Sequence, residues 1–188
     1  MSIIGCFQTI DDNEIAALRE RPERVWACLG LPSPTAQAGL FDRLFKRPSS
    51  TALPDSPWLP AADHEAHDVD KAWHGIHFLL CGSLENGDEP LAFILNGGEI
   101  VGEEDIGYGP ARVFTSTGVA EIALALRHLD IDTLRASTRA DALAEQDIYP
   151  DIWAETDSLD YLFDHLIELR QFIERAHARG KGLLVYLS

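Results

Sequence analysis

Both ends of this chain are short apolar segments with the composition of buried β-strands. Residues 3–10 read IIGCFQTI and residues 183–187 read LLVYL, and both are rich in the aliphatic and aromatic residues that strands favour. The chain between them carries several helical patterns. Strands at both termini with helices between them predict a mixed α/β class. We expect a single compact domain with a central mixed sheet that includes both terminal strands and is covered by helices.

Helix caps and apolar periodicity divide the interior of the chain into further elements. An Asp, Ser or Thr directly before an apolar stripe with a period of 3.6 residues marks the start of a helix. The run at 91–95 is apolar but too short for periodicity to separate helix from strand. The remaining predicted elements are a helix capped by Asp11 or Asp12 that restarts at Pro22 and ends near Leu29, a strand over 111–114, a helix capped by Thr115 or Ser116, a weaker helical stretch over 134–145, and a long helix from Ser158 to Gly180.

A Pro-rich segment interrupts this pattern from about residue 30 to residue 63. It holds six of the ten prolines in the chain, and connections of this length are uncommon in compact domains. We predict a connection or excursion from the single domain, with one short helix at 36–45. Trp58 and Leu59 are expected to anchor it to the body of the protein.

The charge of the chain limits the partners that it can bind. Lys and Arg number 15 against 31 Asp and Glu, which gives a net charge of −16. Such a charge repels nucleic-acid phosphates and anionic lipid surfaces, so neither nucleic acid nor membrane is expected as a partner. A protein partner with a basic surface remains compatible, as does a small anionic ligand held by a local cation. The oligomeric state stays open.

The N-terminal residues and the cysteines indicate a cytoplasmic protein. The first residues, MSIIGCFQTIDDNE, lack the basic region of a signal peptide. No apolar run approaches the length of a membrane span. Cys6, Cys28 and Cys81 are odd in number and widely spaced, so they form neither a metal motif nor a disulfide framework.

A predicted helix over residues 68–81 carries a polar stripe. At 100° per residue, Asp70, His74 and His77 lie within about 60° of one another on one face. Two imidazoles and a carboxylate suit an open metal site, but the histidines are three residues apart rather than the four of a zinc-binding helix. A hydrogen-bonded or ligand-facing network is therefore favoured, and neither a metal nor another cofactor is predicted. A separate apolar stripe faces the core: Val69, Trp73, Ile76 and Leu80.

A Gly-rich acidic segment, GGEIVGEEDIGYGP, covers residues 97–110. Its GYGPAR portion is similar to a dinucleotide-binding loop, but a strand follows where that loop needs a helix N-terminus. Asp105, Tyr108 and Arg112 are the remaining ligand-binding candidates, because an Arg side chain presents a planar fork to a carboxylate or phosphate. An ion pair between Arg112 and Asp105 that fixes the loop is the favoured structural alternative.

These blocks resemble the YfbM-like family, a family of bacterial domains of unknown function. The resemblance covers nearly the whole chain outside the Pro-rich segment, although His67 and Cys81 replace a Leu and a Thr of the family pattern. It implies a compact three-layer or mixed α/β domain in the cytoplasm, and it supplies no catalytic residues. The matching blocks are IIGCF at 3–7, DVDKAWHGIHFLL at 68–80, GG at 97–98, DIGYGPAR at 105–112 and IYPDIW at 148–153.

Two functions remain open. The favoured one is a binding or interaction domain that acts on a protein partner or a small ligand. The alternative is a hydrolase or transferase that acts on a small anionic substrate, in a cleft between the helix face at 70–77 and the loop at 105–112. No catalytic residue is identified, and the alternative depends on those two blocks meeting in one cleft.

Overall fold

A computed structural model describes residues 2–32 and 59–188, and in these ranges the chain forms five strands and seven α-helices. None of these helices is long and apolar enough to cross a lipid bilayer. In chain order the elements are β1 (Gly5–Ile10), α1 (Asp12–Glu20), α2 (Val25–Cys28), β2 (Ala66–Asp68), α3 (Trp73–Cys81), β3 (Glu99–Ile100), β4 (Arg112–Phe114), α4 (Ser116–Arg127), α5 (Ile131–Ser137), α6 (Ala140–Ala144), α7 (Ser158–Ala178) and β5 (Gly182–Leu187).

The strands form one sheet in the order β2-β1-β5-β4-β3. β1 and β5 pair along their whole length, from Gly5 opposite Leu187 to Ile10 opposite Gly182. The predicted α/β class and the pairing of both terminal strands are therefore confirmed. All pairings of the described strands are antiparallel rather than mixed. Strand composition does not encode direction, which depends on how the connections return the chain to the sheet.

Helices cover both faces of the sheet, so the domain has three layers. Phe7 and Val185 face a core that also includes α3, α4 and α7. Ile10 and Leu184 face a second core with α1, α2 and the loop around residues 101–111. This alternation follows from the two-residue period of a strand, and each wholly buried side chain of this size contributes about 1.5–3 kcal/mol.

Several predicted elements have different boundaries in the structure. The predicted helix over 68–81 is wrong at its start, because Asp68 belongs to β2 and residues 70–72 form a 3₁₀ turn before α3. Residues 91–95 form a turn in which Asn96 N donates to Ala92 O at 2.8 Å. The weak helical stretch over 134–145 divides into α5 and α6. Ser158 is the first residue of α7 rather than its cap, and its hydroxyl donates to Trp153 O at 3.1 Å.

A buried carboxylate holds the described end of the Pro-rich segment. The two oxygens of Glu14 accept hydrogen bonds from Ala61 N at 2.7 Å and from His64 Nε2 at 2.8 Å. The side-chain amide of Gln8 donates to the other nitrogen of His64 at 3.0 Å and to Cys28 O at 2.7 Å. The β1–α1 unit thus binds residues on both sides of this segment.

One of the two predicted anchors of that segment, Leu59, lies among the described residues. Leu59 is 78% exposed, so its predicted role as an anchor is wrong. The predicted helix at 36–45 and Trp58 lie outside the described residues.

Candidate functional site

Asp70 lies in the 3₁₀ turn before α3 and is bound by a tyrosine of α7. Its φ of 43° takes it out of helical geometry, so the predicted stripe does not begin at this residue. Its Oδ2 accepts a hydrogen bond from Tyr161 Oη at 3.0 Å, and that phenol oxygen accepts one from Lys71 N at 3.1 Å. Burial and the Asp70 carboxylate raise the pKa of Tyr161. Asp70 therefore joins the start of α3 to α7.

Both ring nitrogens of His74 are hydrogen-bonded to the backbone. Nδ1 accepts from Tyr149 N and Nε2 donates to Leu84 O, each at 3.0 Å. These partners require a neutral ring with its proton on Nε2. Burial lowers the pKa of His74, although the Leu84 carbonyl opposes that shift. The ring also stacks on Trp73, with 5.0 Å between ring centroids. His74 thus links two loops to α3 and has no nitrogen left for a ligand.

His77 is wholly buried, and its Nε2 has no hydrogen-bond partner among the described residues. Its Nδ1 lies 3.8 Å from Cys81 Sγ, a weak contact. Burial lowers the pKa of His77, the backbone of Asn86 opposes that shift, and the charge of Arg112 adds to it. His77 is therefore within range of the Arg112 charge, although it does not line a cavity with that residue.

Arg112 binds backbone carbonyls. Its two terminal nitrogens donate to four carbonyl oxygens of the preceding turn, and the two longer of these bonds reach Gly97 O and Phe93 O at 3.1 Å. The other two acceptors are the carbonyls of Ile94 and Asn96. Burial lowers the pKa of Arg112 to about 10. The predicted ion pair with Asp105 is wrong, because the fork of the guanidinium caps carbonyls at the end of a turn.

Asp105 instead organises its own loop. One carboxylate oxygen accepts hydrogen bonds from Gly107 N and Gly109 N, both at 2.9 Å, and these bonds lower the pKa of Asp105. The φ of 94° at Gly109 is one that L side chains rarely adopt, so the loop needs a glycine there. Tyr108 N donates to Leu187 O at 3.1 Å, which fixes the loop to the end of β5. The Tyr108 side chain is left 43% exposed.

A cavity of about 250 Å³ lies beside this loop. Arg112 of β4 is paired with Ile100 of β3 on one side and with Val185 of β5 on the other, and all three residues line the cavity. Ile100 is 60% exposed at its mouth, which is unusual for an aliphatic residue in a sheet. Sequence reasoning missed Ile100, whose only signal is a large apolar residue within a Gly-rich acidic segment. The other lining residues are Ile94, Leu95, Tyr108, Pro110, Tyr186 and Leu187.

A second cavity, of about 200 Å³, has an acidic lining and contains none of the six candidates. Glu89, Glu99 and Glu121 line it, together with Arg19. Arg19 is already paired with Glu99 at 2.8 Å. Its lining residues include neither a predicted site residue nor an unpaired cation that would select a ligand. The cavity beside Tyr108 is therefore the better candidate.

The structure thus brings together only some of the predicted site residues. Tyr108 and Arg112 share a cavity, and His77 lies close enough to Arg112 for their charges to interact. No residue of 70–77 lines that cavity. Within the described ranges, no group of three or more His, Cys, Asp or Glu side chains is placed to hold a metal ion. Ligand binding by the six candidates stays a prediction.

These features define a three-layer α/β domain on an antiparallel sheet that joins the N-terminal and C-terminal strands. The chain belongs to a family described as a domain of unknown function, DUF1877, whose model matches residues 1–186. This membership confirms the resemblance found in the sequence.

A solved structure with the same fold is YfbM from Escherichia coli, described as a protein of unknown function. The two chains superpose with a TM-score of 0.63 at 21% identity, over 98% of this chain and 99% of that one. At this identity the likeness concerns the fold alone. No protein with a curated description is similar enough to count as a relative.

Proposed function

We propose that this protein is a binding domain whose ligand occupies the cavity lined by Tyr108, Arg112 and Ile100. The observation that carries the proposal is the combination of a concave apolar site with one half-buried cation and two exposed apolar or aromatic side chains. Ligand sites are typically apolar clefts with a few polar groups that fix orientation. The ligand is a small molecule or the end of a partner polypeptide.

The alternative enzyme hypothesis receives less support from the same residues. General acid–base catalysis needs a titratable group with a free position facing the substrate. The two nitrogens of His74 are both occupied, and the Asp70 carboxylate holds Tyr161. His77 is wholly buried and does not line the cavity. Binding without chemistry is therefore the function we favour.

A cytoplasmic location is part of the proposal. Cys6, Cys28 and Cys81 are all free thiols, and unpaired thiols are typical of a reducing compartment. The net charge of −16 would also attract a protein partner with a basic surface.

Nuclear magnetic resonance of isotope-labelled protein tests the proposed site. We expect compounds from a small-molecule library to shift the backbone amide signals of Ile100, Tyr108 and Leu187 together. Ile100→Glu should weaken the binding that causes these shifts, because it places a charge in the lining of the cavity. Leu124→Glu is the matched control, since Leu124 is also an exposed apolar residue, at 54%, but lies outside this cavity. A library that shifts none of the three signals, or compounds that bind Ile100→Glu as tightly as the natural sequence, would refute the proposed site.

A further inference from the structure

The cavity contains a half-buried cation, Arg112, that has no counterion among the described residues. Among the described residues, no Asp or Glu side chain pairs with Arg112, whereas Arg19, Arg135 and Arg175 each bind a carboxylate within 2.8 Å. Taking a charge out of water is costly, and an opposite charge offsets that cost more strongly than neutral hydrogen-bond acceptors do. The four carbonyls that Arg112 binds supply hydrogen bonds but no net negative charge. The positive charge at this site is therefore only partly compensated.

One N–H group of the Arg112 guanidinium has no hydrogen-bond acceptor among the described residues. Its terminal nitrogens have four N–H groups, which match the four carbonyl partners, and Nε carries the fifth N–H. No partner for Nε is found within the described residues. A ligand oxygen can therefore bind Arg112 at Nε without displacing the carbonyls that fix the preceding turn.

The remaining lining of the cavity is apolar or phenolic. Ile94, Leu95, Val185 and Leu187 supply aliphatic surface, and none of the nine lining residues is acidic. The volume of about 250 Å³ lies below the roughly 300–1,000 Å³ that is usual for drug-sized ligands. The occupant must therefore be small, with an apolar body and an anionic group at one end.

We infer that the ligand of this cavity is a small apolar carboxylate, either a free monocarboxylic acid or the C-terminal carboxylate of a polypeptide that ends in an apolar residue. This inference rests on the proposed function and adds the chemical class of the ligand. The carboxylate lies against Arg112, and the apolar body covers Val185 and Ile100.

The overall negative charge of the protein opposes the binding of a carboxylate. A molecule with a net charge of −16 attracts cations and repels anions at long range. A preference for a carboxylate over an amine of the same size must therefore come from the local field of Arg112. Long-range repulsion is screened by salt more strongly than a partly buried contact. Added salt should consequently leave carboxylate binding unchanged or strengthen it.

The test compares four probes of similar size by nuclear magnetic resonance titration: hexanoate, benzoate, hexanol and hexylamine. We expect the two carboxylates to bind at the cavity about tenfold more tightly than the alcohol or the amine. Matched peptides that end in leucine, with a free or an amidated C-terminus, distinguish a polypeptide end from a free acid. Binding of the free-ended peptide but not of hexanoate or benzoate assigns the site to a polypeptide end.

Substitutions at the exposed position Ile100 add a charge of either sign beside Arg112 and leave the guanidinium itself in place. Ile100→Lys should tighten carboxylate binding and Ile100→Glu should weaken it, each by a factor of about three to ten at this range. Leu124→Lys and Leu124→Glu impose the same changes of net charge away from the cavity and should change the affinity less than about twofold.

Two outcomes overturn the inference in different ways. Equal or tighter binding of hexanol or hexylamine at the cavity refutes the carboxylate while leaving a binding site in place. If none of the probes or peptides shifts the signals of the cavity, the carboxylate inference is wrong, and the library titration then decides separately whether the proposed function survives.

Discussion

Replacing either of two histidines on α3 by leucine should change the stability of the protein, but in opposite directions. His77→Leu removes a wholly buried imidazole whose Nε2 has no partner among the described residues. His74→Leu removes an imidazole whose two nitrogens bind the backbone of Tyr149 and Leu84. The two positions share one helix, three residues apart, so differences in helix propensity cancel between the variants.

The expected magnitudes follow from the cost of buried polar atoms without partners. Such an atom costs about 1–3 kcal/mol, so its removal from His77 should more than offset the strain of a change in side-chain shape, usually below about 1.5 kcal/mol. We expect His77→Leu to raise the free energy of unfolding by about 1 kcal/mol. His74→Leu leaves one N–H and one C=O unpaired and should lower it by about 2–4 kcal/mol.

Urea denaturation followed by circular dichroism measures both variants against the natural sequence. The slope of the transition should stay constant, so that the shift of its midpoint reports stability alone. A loss of more than about 1 kcal/mol in His77→Leu would mean that the imidazole has a partner essential to the core. An unchanged His74→Leu variant would refute the assignment of its two backbone bonds.

The same assay tests three further expectations. Trp73→Ala should cost about 3–5 kcal/mol, because it opens a cavity in the core and removes a hydrogen bond to Ile3 O; a cost below about 1 kcal/mol would contradict this. Arg112→Lys should cost about 2–4 kcal/mol, since one ammonium cannot bind four carbonyls, and a neutral result would remove its structural role. Stability should fall as the pH drops below about 6.5, because burial lowers the pKa of His67, His74 and His77, so the unfolded chain binds protons that the folded chain does not. Constant stability down to about pH 5 would contradict this last expectation.

The elements that depend on local signals were predictable from the sequence. α4 begins where Thr115 caps it, with its hydroxyl oxygen accepting a hydrogen bond from Gly118 N at 3.3 Å. α7 ends before Gly180, whose φ of 64° stops the helix. Caps, stop residues and apolar periods are properties of neighbouring residues, so they can be found without a fold.

The candidate site was only partly predictable, because its geometry depends on distant contacts. Asp70 leaves the helical path through a positive φ that residue spacing cannot reveal. Arg112 prefers four carbonyls 15–19 residues away to a nearby carboxylate. Every residue has a backbone carbonyl, so the sequence does not show which carbonyls an arginine will bind. It does show nearby carboxylates, and an ion pair with Asp105 was predicted for that reason. Glu14 and His64 were missed for a similar reason, since 50 residues separate them.

The contacts of Gln8 and Glu14 hold the two described ends of the Pro-rich segment on one unit of the fold. Residues on both sides of it are attached to the β1–α1 unit by their own hydrogen bonds. The free energy of closing a loop changes by only about 0.6 kcal/mol for each doubling of its length. The two described ends should therefore keep their places on the β1–α1 unit when the number of residues between them is changed.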